Sequence, residues 1–576
     1  MHATSSTVPE TAPIARELSL RAVITGALLG ILLTPSNVYA GLKIGWSFNM
    51  SIIALLIGYA IWQGLARRSV TPWTLHESNI NQTVASAAAS IISGGLVAPI
   101  PAYTLLTGNQ LEAIPMIAWV FSVSFLGIWI AWYLRPSLLN DRALKFPEGM
   151  ATLETLLHIY NHGREAATRL KVLLSAALVS GVVKWLDTFI WALPRWSPSA
   201  QWERLTFTSD PSLLLLGFGG IIGIRVGLTL LLGALLAWGG AGPWLLAQGL
   251  VSLPAGSSGP QFAALVEWLL WPGVSLMVCS TLASLGIRLW ALHRSTRADG
   301  GTAWTIPKPG PAAGFALAIV LVVSLQAMLF GISLWMALLT IPLAICLAAV
   351  AARVVGATGI PPIGAIGQLS QLSFGIVAPG QVPINLMSAN TAGGSAGQCT
   401  DLMNDFKVGK AIGATPHKQV IAQVLGIFIG SIVGVFAYLA LIPDPQTMLL
   451  TEEWPAPAVA TWKAVAQTLT HGLDSLSPSI RWAIAIAGFI GVVLGVLDST
   501  LPARRSRYLP SAAALGLAFV LPASVSLMMA LGAVLTWCVS CRWPNVTQRF
   551  AITAAAGLIA GESITGVGAS LWQMIR

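Results

Sequence analysis

Two lone carboxylates interrupt strongly apolar runs of the chain, and acids in that setting can bind and release protons. Glu562 lies in the run AGESITGVG, and Glu267 lies in LVEWLLW. An ionised carboxylate inside a membrane is costly, so each needs a partner, an aqueous cavity or a bound proton. We favour Glu562 for proton coupling because the neighbouring glycines open the backbone, whereas Glu267 and its tryptophans fit a membrane interface.

A second acidic group lies in KFPEGMATLETLLHIYNH, residues 145–162. Pro147 predicts a helix start, which places Glu148 in the first turn, where helix amides stabilise an acid. Glu154 and His158 fall one turn apart and could relay a proton, since histidine titrates near neutrality. The alternative is a water-facing helix on which neither side chain has a transport role.

Amides and small hydroxyls crowd two further stretches, ESNINQTVASAAAS at residues 77–90 and INLMSANTAGGSAGQCTDLMNDF at residues 384–406. Such residues either line a substrate path on a broken helix or let neighbouring helices pack closely and bond to one another. Glu77 and Asp405 join the proton-coupling candidates, although Asp401 and Asp405 also fit a charged cytoplasmic edge. The candidate substrate-binding residues are Asn79, Asn81, Gln82, Ser86, Asn385, Ser388, Asn390, Thr391, Ser395 and Gln398.

Other patterns indicate structure rather than chemistry. Lys184 and Asp187, three residues apart, are typical of an internal ion pair on one helix. Cys538 and Cys541 form one CxxC, which lacks the second pair of a four-cysteine zinc site. The sequence has no compact His or Cys cluster and no Walker A, HExxH or GxSxG motif. We therefore expect no cofactor, no protein-bound metal and no ATP-driven pump.

The composition defines the elements that must hold these side chains. Of 576 residues, 55% are hydrophobic and only 9% are charged, with a mean hydropathy of +0.76. Soluble domains carry about 25% charged residues, so the chain is predicted to be an all-α polytopic protein of the lipid bilayer. Apolar runs such as 114–134 and 421–441 each supply a helical span of ~20 residues. We count about 14 to 16 membrane segments, including short or broken ones.

The formal net charge of +10 resides in short basic clusters between apolar runs, such as Arg67–Arg68 and Arg504–Arg507. This distribution matches the positive-inside bias of membrane proteins rather than a nucleic-acid-binding surface. Residues 1–20 lack the layout of a cleaved signal peptide and are predicted to be a cytoplasmic tail. We expect an inner-membrane protein of a bacterium with its N-terminus in the cytoplasm; its oligomeric state is open, with a homodimer among the options.

An internal duplication is indicated by two similar stretches, Pro211–Trp238 and Pro510–Trp537. An offset of 299 aligns Gly217 with Gly516 (516 − 217 = 299) and aligns six further identical residues. A weaker echo aligns Asn81 with Asn390 (390 − 81 = 309). We predict a first transmembrane half at 21–293, a polar linker at 294–311 and a second half at 312–576, in parallel or inverted arrangement. The aligned segments should break near their middles, at the glycines 219, 220 and 223 and at Pro522.

Five motifs, in this order, resemble those of the oligopeptide transporter (OPT) family. They span the chain from about residue 37 to residue 568: NVYAGLKIGWSFNMSIIALLIGYAI, ESNINQTVASAAASI, KFPEGMATLETL, NLMSANTAGGSAGQCTDLMNDFKVGKAIGATPHKQVIAQVLG and AGESITGVG. The chain departs from the family with ESN for an ENN-like triplet, PEGMA for PEGTA and GES for GEG. The matched motif positions, with no role assigned, are Glu77, Asn79, Gln82, Glu148, Asp401, Asp405, Lys407 and Glu562.

The resemblance implies a proton-coupled secondary importer of small peptides, or of metal chelates as in the yellow-stripe-like branch. Its fold would be two related multi-helix halves that rock around a site at the bilayer midplane. Our expectation is import of a peptide or peptide-like compound by alternating access, coupled to protons. The alternatives are a metal-chelate transporter of the same fold, a polytopic membrane enzyme that uses Glu154 and His158, and a passive channel.

Overall fold

The computed structural model describes residues 17–45, 49–66, 71–141, 144–161, 163–251, 261–296, 309–359 and 363–575. Within these ranges the protein is built from helices and contains no strand, which confirms the expected all-α class. Most of the predicted cytoplasmic tail (residues 1–16) and of the predicted linker (residues 297–308) lies outside the described residues.

Eleven helices precede residue 297 in the described chain. They are α1 (Leu20–Ile44), α2 (Ser51–Ala66), α3 (Leu75–Ala89), α4 (Pro99–Thr107), α5 (Ala113–Asn140), α6 (Pro147–Asn161), α7 (Gly163–Phe189), α8 (Ala200–Arg204), α9 (Leu213–Ala234), α10 (Gly242–Ala247) and α11 (Phe262–Thr296). A π-helical stretch, Leu235–Ala241, joins α9 to α10, and a 3₁₀ turn, Ser90–Gly94, follows α3.

Twelve more helices follow residue 308 in the described chain. They are α12 (Pro309–Phe330), α13 (Leu334–Thr358), α14 (Ile363–Val377), α15 (Ala389–Ile412), α16 (Pro416–Leu441), α17 (Pro445–Met448), α18 (Pro457–His471), α19 (Pro478–Thr500), α20 (Ala503–Ser506), α21 (Ala512–Val520), α22 (Ala523–Arg542) and α23 (Pro544–Ile575). A π turn, Ile384–Ser388, leads into α15, and a 3₁₀ turn, Leu473–Ser475, follows α18.

Twelve helical segments of the described chain are long and apolar enough to cross a membrane, so the protein is an integral membrane protein. The shorter apolar helix α2 and the polar helix α15 do not meet those criteria but lie in the same bundle. Helix α15 is buried along most of its length, so its polar residues face protein rather than lipid.

Close helix packing depends on glycines spaced four residues apart. Helix α3 lies between α1 and α16, which present Gly26 and Gly30 on one side and Gly426 and Gly430 on the other. A Cβ atom added to Gly426 would lie 2.5 Å from the carbonyl oxygen of Val84. The absence of side chains therefore allows the three helix backbones to approach each other directly, as is common in membrane bundles.

The two predicted breaks occur at aligned positions. Helix α9 is interrupted at Gly223, whose φ of 81° and ψ of 166° are open to glycine but not to other residues. In the second copy, α21 ends at Val520 and α22 begins after Pro522. Gly223 and Pro522 differ by the offset of 299 (522 − 223 = 299). The breaks at these two positions are confirmed, whereas the helix continues through residues 219 and 220.

The two broken segments also pack against each other in a reciprocal way. Gly233 lies against the carbonyl oxygen of Leu515, and Gly532 lies against the carbonyl oxygen of Leu216. Adding 299 to Gly233 gives Gly532, and subtracting 299 from Leu515 gives Leu216. Each segment therefore makes the same contact with the other, through the same pair of aligned positions.

Candidate functional site

A charged cavity of about 450 Å³ opens among α1, α7, α9, α22, α23 and three loops. Its polar and charged lining residues are Tyr39, Lys43, Lys184, Asp187, Arg195, Thr208, Asp210, Ser212, Glu452, Glu453, Ser524 and Glu562. Three cationic and five acidic side chains thus face one small volume. A cavity with both signs of charge suits a solute that itself carries both signs.

Glu562 is the buried acid of this cavity, with only 5% of its surface exposed. Its Oε1 accepts a hydrogen bond from the Ser212 hydroxyl at 2.7 Å, and its Oε2 accepts one from the Leu214 backbone N–H at 2.8 Å. Ser212 is the N-cap of α9, where its Oγ also accepts from the Leu215 N–H at 3.2 Å. The carboxylate therefore occupies the N-terminus of a broken helix, where unpaired amides and the helix dipole favour an anion.

Helix α23 can bring Glu562 to this position because its neighbours are small. Gly561 packs directly on the backbone of Ala177 in α7, and Gly557 packs on the backbone of Leu173. These contacts fix α23 against α7 at the wall of the charged cavity. Gly561, one of the glycines that favoured Glu562 in the sequence, thus helps to bring α23 and α7 together.

The cations of the charged cavity are held in place by neighbouring groups. The Lys43 ammonium donates to the Glu453 carbonyl oxygen at 2.6 Å and lies 5.0 Å from the centre of the Trp454 ring. Lys184 and Asp187 form the predicted ion pair at 4.0 Å, and both line the cavity. The pair therefore belongs to the candidate site as well as to the helix.

Glu452 lies on the loop before α18, outside the helices that span the membrane. Burial raises the pKa of Glu452, and the nearby Arg195 guanidinium opposes this shift without cancelling it. The charged cavity therefore holds an acid that is partly shielded from water at its rim.

An apolar cavity of about 690 Å³ lies beyond the charged one. Helices α7, α9 and α23 line both cavities, and on α23 the change from one to the other occurs between Ile559 and Glu562. On α9, Leu214 lines the charged cavity and Phe218 lines the apolar cavity. On α9 and α23, only about one helical turn lies between the residues that line the two cavities.

The predicted substrate-binding amides do not line either cavity; they connect helices. Gln82 on α3 donates through Nε2 to Asp405 Oδ1 on α15 at 3.0 Å, and Asn390 Nδ2 donates to the Gly94 carbonyl at 3.0 Å. Asn385 and Gln371 exchange two hydrogen bonds between their side chains and backbone at 2.8 and 3.1 Å. The contacts shown here are those of the alternative interpretation, helix-to-helix hydrogen bonding.

Other candidates of this group also bond to protein groups, either across helices or within their own helix. Asn81 donates to the Ala54 carbonyl and Thr391 meets Gln326, while Ser86 and Ser395 bond within their own helices. Ser90 and Gln398 approach each other at 3.5 Å across α3 and α15. Among the described residues, several buried polar atoms of this interface have no hydrogen-bond partner: Asn79 Nδ2, Gln82 Oε1, Ser388 Oγ, Gln398 Nε2 and Asp405 Oδ2.

The remaining acidic candidates lie outside the charged cavity. Glu77 completes a capping box with Thr74 at the start of α3 and pairs with Arg21 at 2.6 Å. Glu148 lines the apolar cavity. Glu154 and His158 lie 3.8 Å apart, with 75% and 46% of their side chains exposed. The structure therefore brings Glu562 alone of the predicted acids to the charged cavity.

Sequence reasoning did not single out Tyr39, Lys43, Arg195, Asp210 or Glu452 as site residues. Each lies at or near the end of an apolar run, where charged residues usually mark the membrane edge. The available signal was position within a matched motif, since Lys43 lies in NVYAGLK and Asp210 directly precedes the duplicated segment.

Comparison with known proteins agrees with this architecture. A family model described as OPT oligopeptide transporter protein matches residues 17–573. A putative oligopeptide transporter of Saccharomyces cerevisiae is 23% identical, with 96% of each chain covered. A putative oligopeptide transporter of Haemophilus influenzae is 24% identical over 92% of this chain and 91% of its own. The iron-phytosiderophore transporter yellow stripe 1 of Zea mays is 24% identical over 97% of this chain and 91% of its own. Because the family model covers nearly the whole chain, the protein belongs to the OPT oligopeptide transporter family and is a transporter rather than an enzyme.

Proposed function

We propose that the protein imports a small peptide or peptide-like zwitterion together with protons, by alternating access, and that the charged cavity is its substrate site. The observation that carries this proposal is the convergence of Lys43, Lys184 and Arg195 with acidic side chains around one cavity of about 450 Å³. A peptide presents a carboxylate at one end and an ammonium at the other. Both ends find partners of opposite charge on the cavity wall.

The names of the relatives support this class of substrate without choosing within it. Two of them are named as putative oligopeptide transporters and others as iron-phytosiderophore or metal-nicotianamine transporters. A metal chelate of that kind is therefore the second candidate substrate, and it would use the same charged groups.

Glu562 is our candidate for proton coupling. Glu562 lines the proposed substrate site, and its two carboxylate oxygens accept hydrogen bonds from the Ser212 hydroxyl and the Leu214 backbone N–H. A substrate carboxylate is suited to the same donors, because the N-terminus of a discontinuous helix binds anions. Protonation of Glu562 would release those donors to the substrate, so that binding of the proton and binding of the substrate favour each other.

Alternating access is supported by the geometry of the duplicated segments. The reciprocal contacts of Gly233 with Leu515 and of Gly532 with Leu216 are those of a two-fold axis between the copies. The weaker sequence echo, which aligns Asn81 on α3 with Asn390 on α15, indicates the direction of that axis. Asn390 meets Gly94 while Gln82 meets Asp405, so α3 and α15 run antiparallel. A two-fold axis that relates antiparallel membrane helices lies in the membrane plane, which corresponds to an inverted repeat.

The orientation follows from the charges at one end of the bundle. Arg21 pairs with Glu77 at the start of α3, and Lys407 and Lys410 bond to backbone carbonyls near the end of α5. Because α3 and α15 are antiparallel, these cations lie on the same side of the protein. The positive-inside bias supports our proposal that this side, and the N-terminus, lie in the cytoplasm of an inner-membrane protein. On this assignment the charged cavity is the outer one, because Lys43 lies at the opposite end of α1 from Arg21.

The substrate site is tested by uptake of two tripeptides into proteoliposomes, one with a free C-terminal carboxylate and one that is C-terminally amidated. We expect the wild type to prefer the free acid and Arg195→Gln to lose roughly tenfold of that preference. Arg481→Gln is the matched control, because Arg481 forms an exposed ion pair with Asp474. An unchanged preference in Arg195→Gln would contradict the assignment of the site.

A parallel arm offers ferric chelates of amino-acid-like ligands, with and without an inward proton gradient. Accumulation of chelates and not of peptides would select the metal-chelate alternative. Flux of either solute that ignores the gradient would contradict the coupled mechanism and favour a passive channel.

A further inference from the structure

The apolar cavity contains an acid that has no role in the proposed transport site. Residues from α1, α2, α6, α7, α9, α11, α18, α21 and α23 line its volume of about 690 Å³. Its wall is mostly aliphatic, with Leu56, Ile222, Leu517 and Ile559 among the lining residues. Glu148 is the one ionisable side chain among the described residues that line it.

Neutral groups hold Glu148 in place, and none of them balances its charge. Asn404 donates through Nδ2 to Glu148 Oε2 at 3.1 Å, and the side chain of Asn49 also bonds to the carboxylate. No ion pair to Glu148 occurs in the part of the chain that the structure describes. Asp401 on α15 is near enough to interact electrostatically with Glu148, which adds negative potential.

Glu148 is half-buried, and a carboxylate that is partly withdrawn from water without a cationic partner is costly; a bound cation lowers that cost. The aliphatic wall around Glu148 favours an organic cation over a hydrated metal ion, because apolar surface cannot replace the oxygen ligands of a metal. Cavities of roughly 300–1,000 Å³ with few polar groups are typical of small-molecule sites.

We propose that the apolar cavity is a second binding site, for an organic ammonium ion with an apolar body. The ammonium group bonds to Glu148, and the body packs against the aliphatic wall. Such an ammonium could come from a soluble amine or from the head group of an aminolipid. This site is separate from the charged cavity, so its occupancy does not depend on the proposed peptide substrate.

The test is calorimetric titration of the protein in phosphatidylcholine nanodiscs with tryptamine and with tryptophol, which replaces the amine by a neutral hydroxyl. Empty nanodiscs supply the correction for partition into lipid. We expect wild-type protein to bind tryptamine roughly tenfold or more tightly than tryptophol. Glu148→Gln should lose that preference, and Glu112→Gln, which changes an exposed acid at the start of α5, should keep it.

Ala514→Phe narrows the same cavity from α21 and should weaken both ligands without changing the preference between them. Equal affinity for the two ligands in the wild type, or full preference in Glu148→Gln, would overturn the proposal. Repeating the titration with phosphatidylethanolamine in the nanodiscs separates the sources. Competition with tryptamine identifies an aminolipid as the occupant, and its absence identifies a soluble amine; both results are consistent with an ammonium site.

Discussion

The carboxylate of Glu562 on α23 accepts a hydrogen bond from the Leu214 backbone N–H on α9 at 2.8 Å. An acid near the end of the chain thus occupies the first turn of a broken helix from its first half. This hydrogen bond joins a titratable group of the charged cavity to the N-terminus of a helix. A change in the protonation of Glu562 therefore alters both the charge of the cavity and the stability of the α9 terminus.

Ser212→Ala should weaken the α9 terminus. The substitution removes the N-cap and one of the two hydrogen bonds to Glu562, so we expect a loss of about 1 kcal/mol in the free energy of unfolding. Thermal unfolding in detergent measures the change. Ser199→Ala is the comparison, because Ser199 caps only the short exposed helix α8. Equal unfolding temperatures for the two variants would show that the Glu562 contact adds no stability.

Gly426→Leu should disrupt the packing of α3 against α16. A side chain at this position meets the Val84 backbone, and overpacking of this kind costs about 1–3 kcal/mol or more. Gly568→Leu is matched in residue type and helical setting, but a Cβ there meets nothing within 4 Å. We expect a loss of folded protein in size-exclusion chromatography for the first variant only. Normal yield of both would contradict the close approach of the two helices.

Two substitutions separate structure from coupling in the interface of α3 and α15. Gln82→Leu removes the Gln82 donor from the buried Asp405 carboxylate, which should cost about 1–3 kcal/mol of stability. Asp405→Asn keeps an oxygen that can accept from Gln82, and we expect its uptake to remain dependent on the proton gradient. If a folded Asp405→Asn protein keeps exchange but no longer accumulates substrate when a gradient is applied, coupling belongs to Asp405 rather than to Glu562.

Glu452 should make the stability of the protein depend on pH. Burial raises the pKa of Glu452, so its ionisation opposes folding, and the stability present at low pH is lost as pH rises through the folded-state pKa. Relative to Glu452→Gln, the wild type should lose unfolding temperature as pH rises from below 4.5, the ordinary value, to above the raised one. A difference between the two proteins that stays constant with pH would show that Glu452 is not shielded.

The helix breaks show how far a sequence can predict a membrane fold. The duplicated segments aligned Gly223 with Pro522, and both are residues whose backbone interrupts a helix. The residue type at such a position decides whether the helix breaks there, so aligning two segments of one chain was sufficient to predict the breaks. The buried acid Glu562 was predictable for a similar reason, since long apolar runs leave few other places for a carboxylate to lie.

The charged cavity was not predictable, because its members converge from distant parts of the chain. Lys43, Arg195, Asp210 and Glu452 each resemble an ordinary membrane-edge residue until the helices around them are packed. The contacts of the amides could not be predicted for a different reason. An amide bonds equally well to a substrate or to a neighbouring helix, and the sequence does not state which of them lies opposite Gln82 or Asn390.

The most direct test of coupling at Glu562 compares two uptake measurements on Glu562→Gln in proteoliposomes. One measures accumulation of a labelled tripeptide driven by an inward proton gradient, and the other measures exchange of labelled for unlabelled tripeptide without a gradient. We expect the wild type and Glu112→Gln to show both activities, and Glu562→Gln to keep exchange and lose accumulation. Accumulation by Glu562→Gln at the wild-type level would contradict the proposal that this carboxylate couples protons to transport.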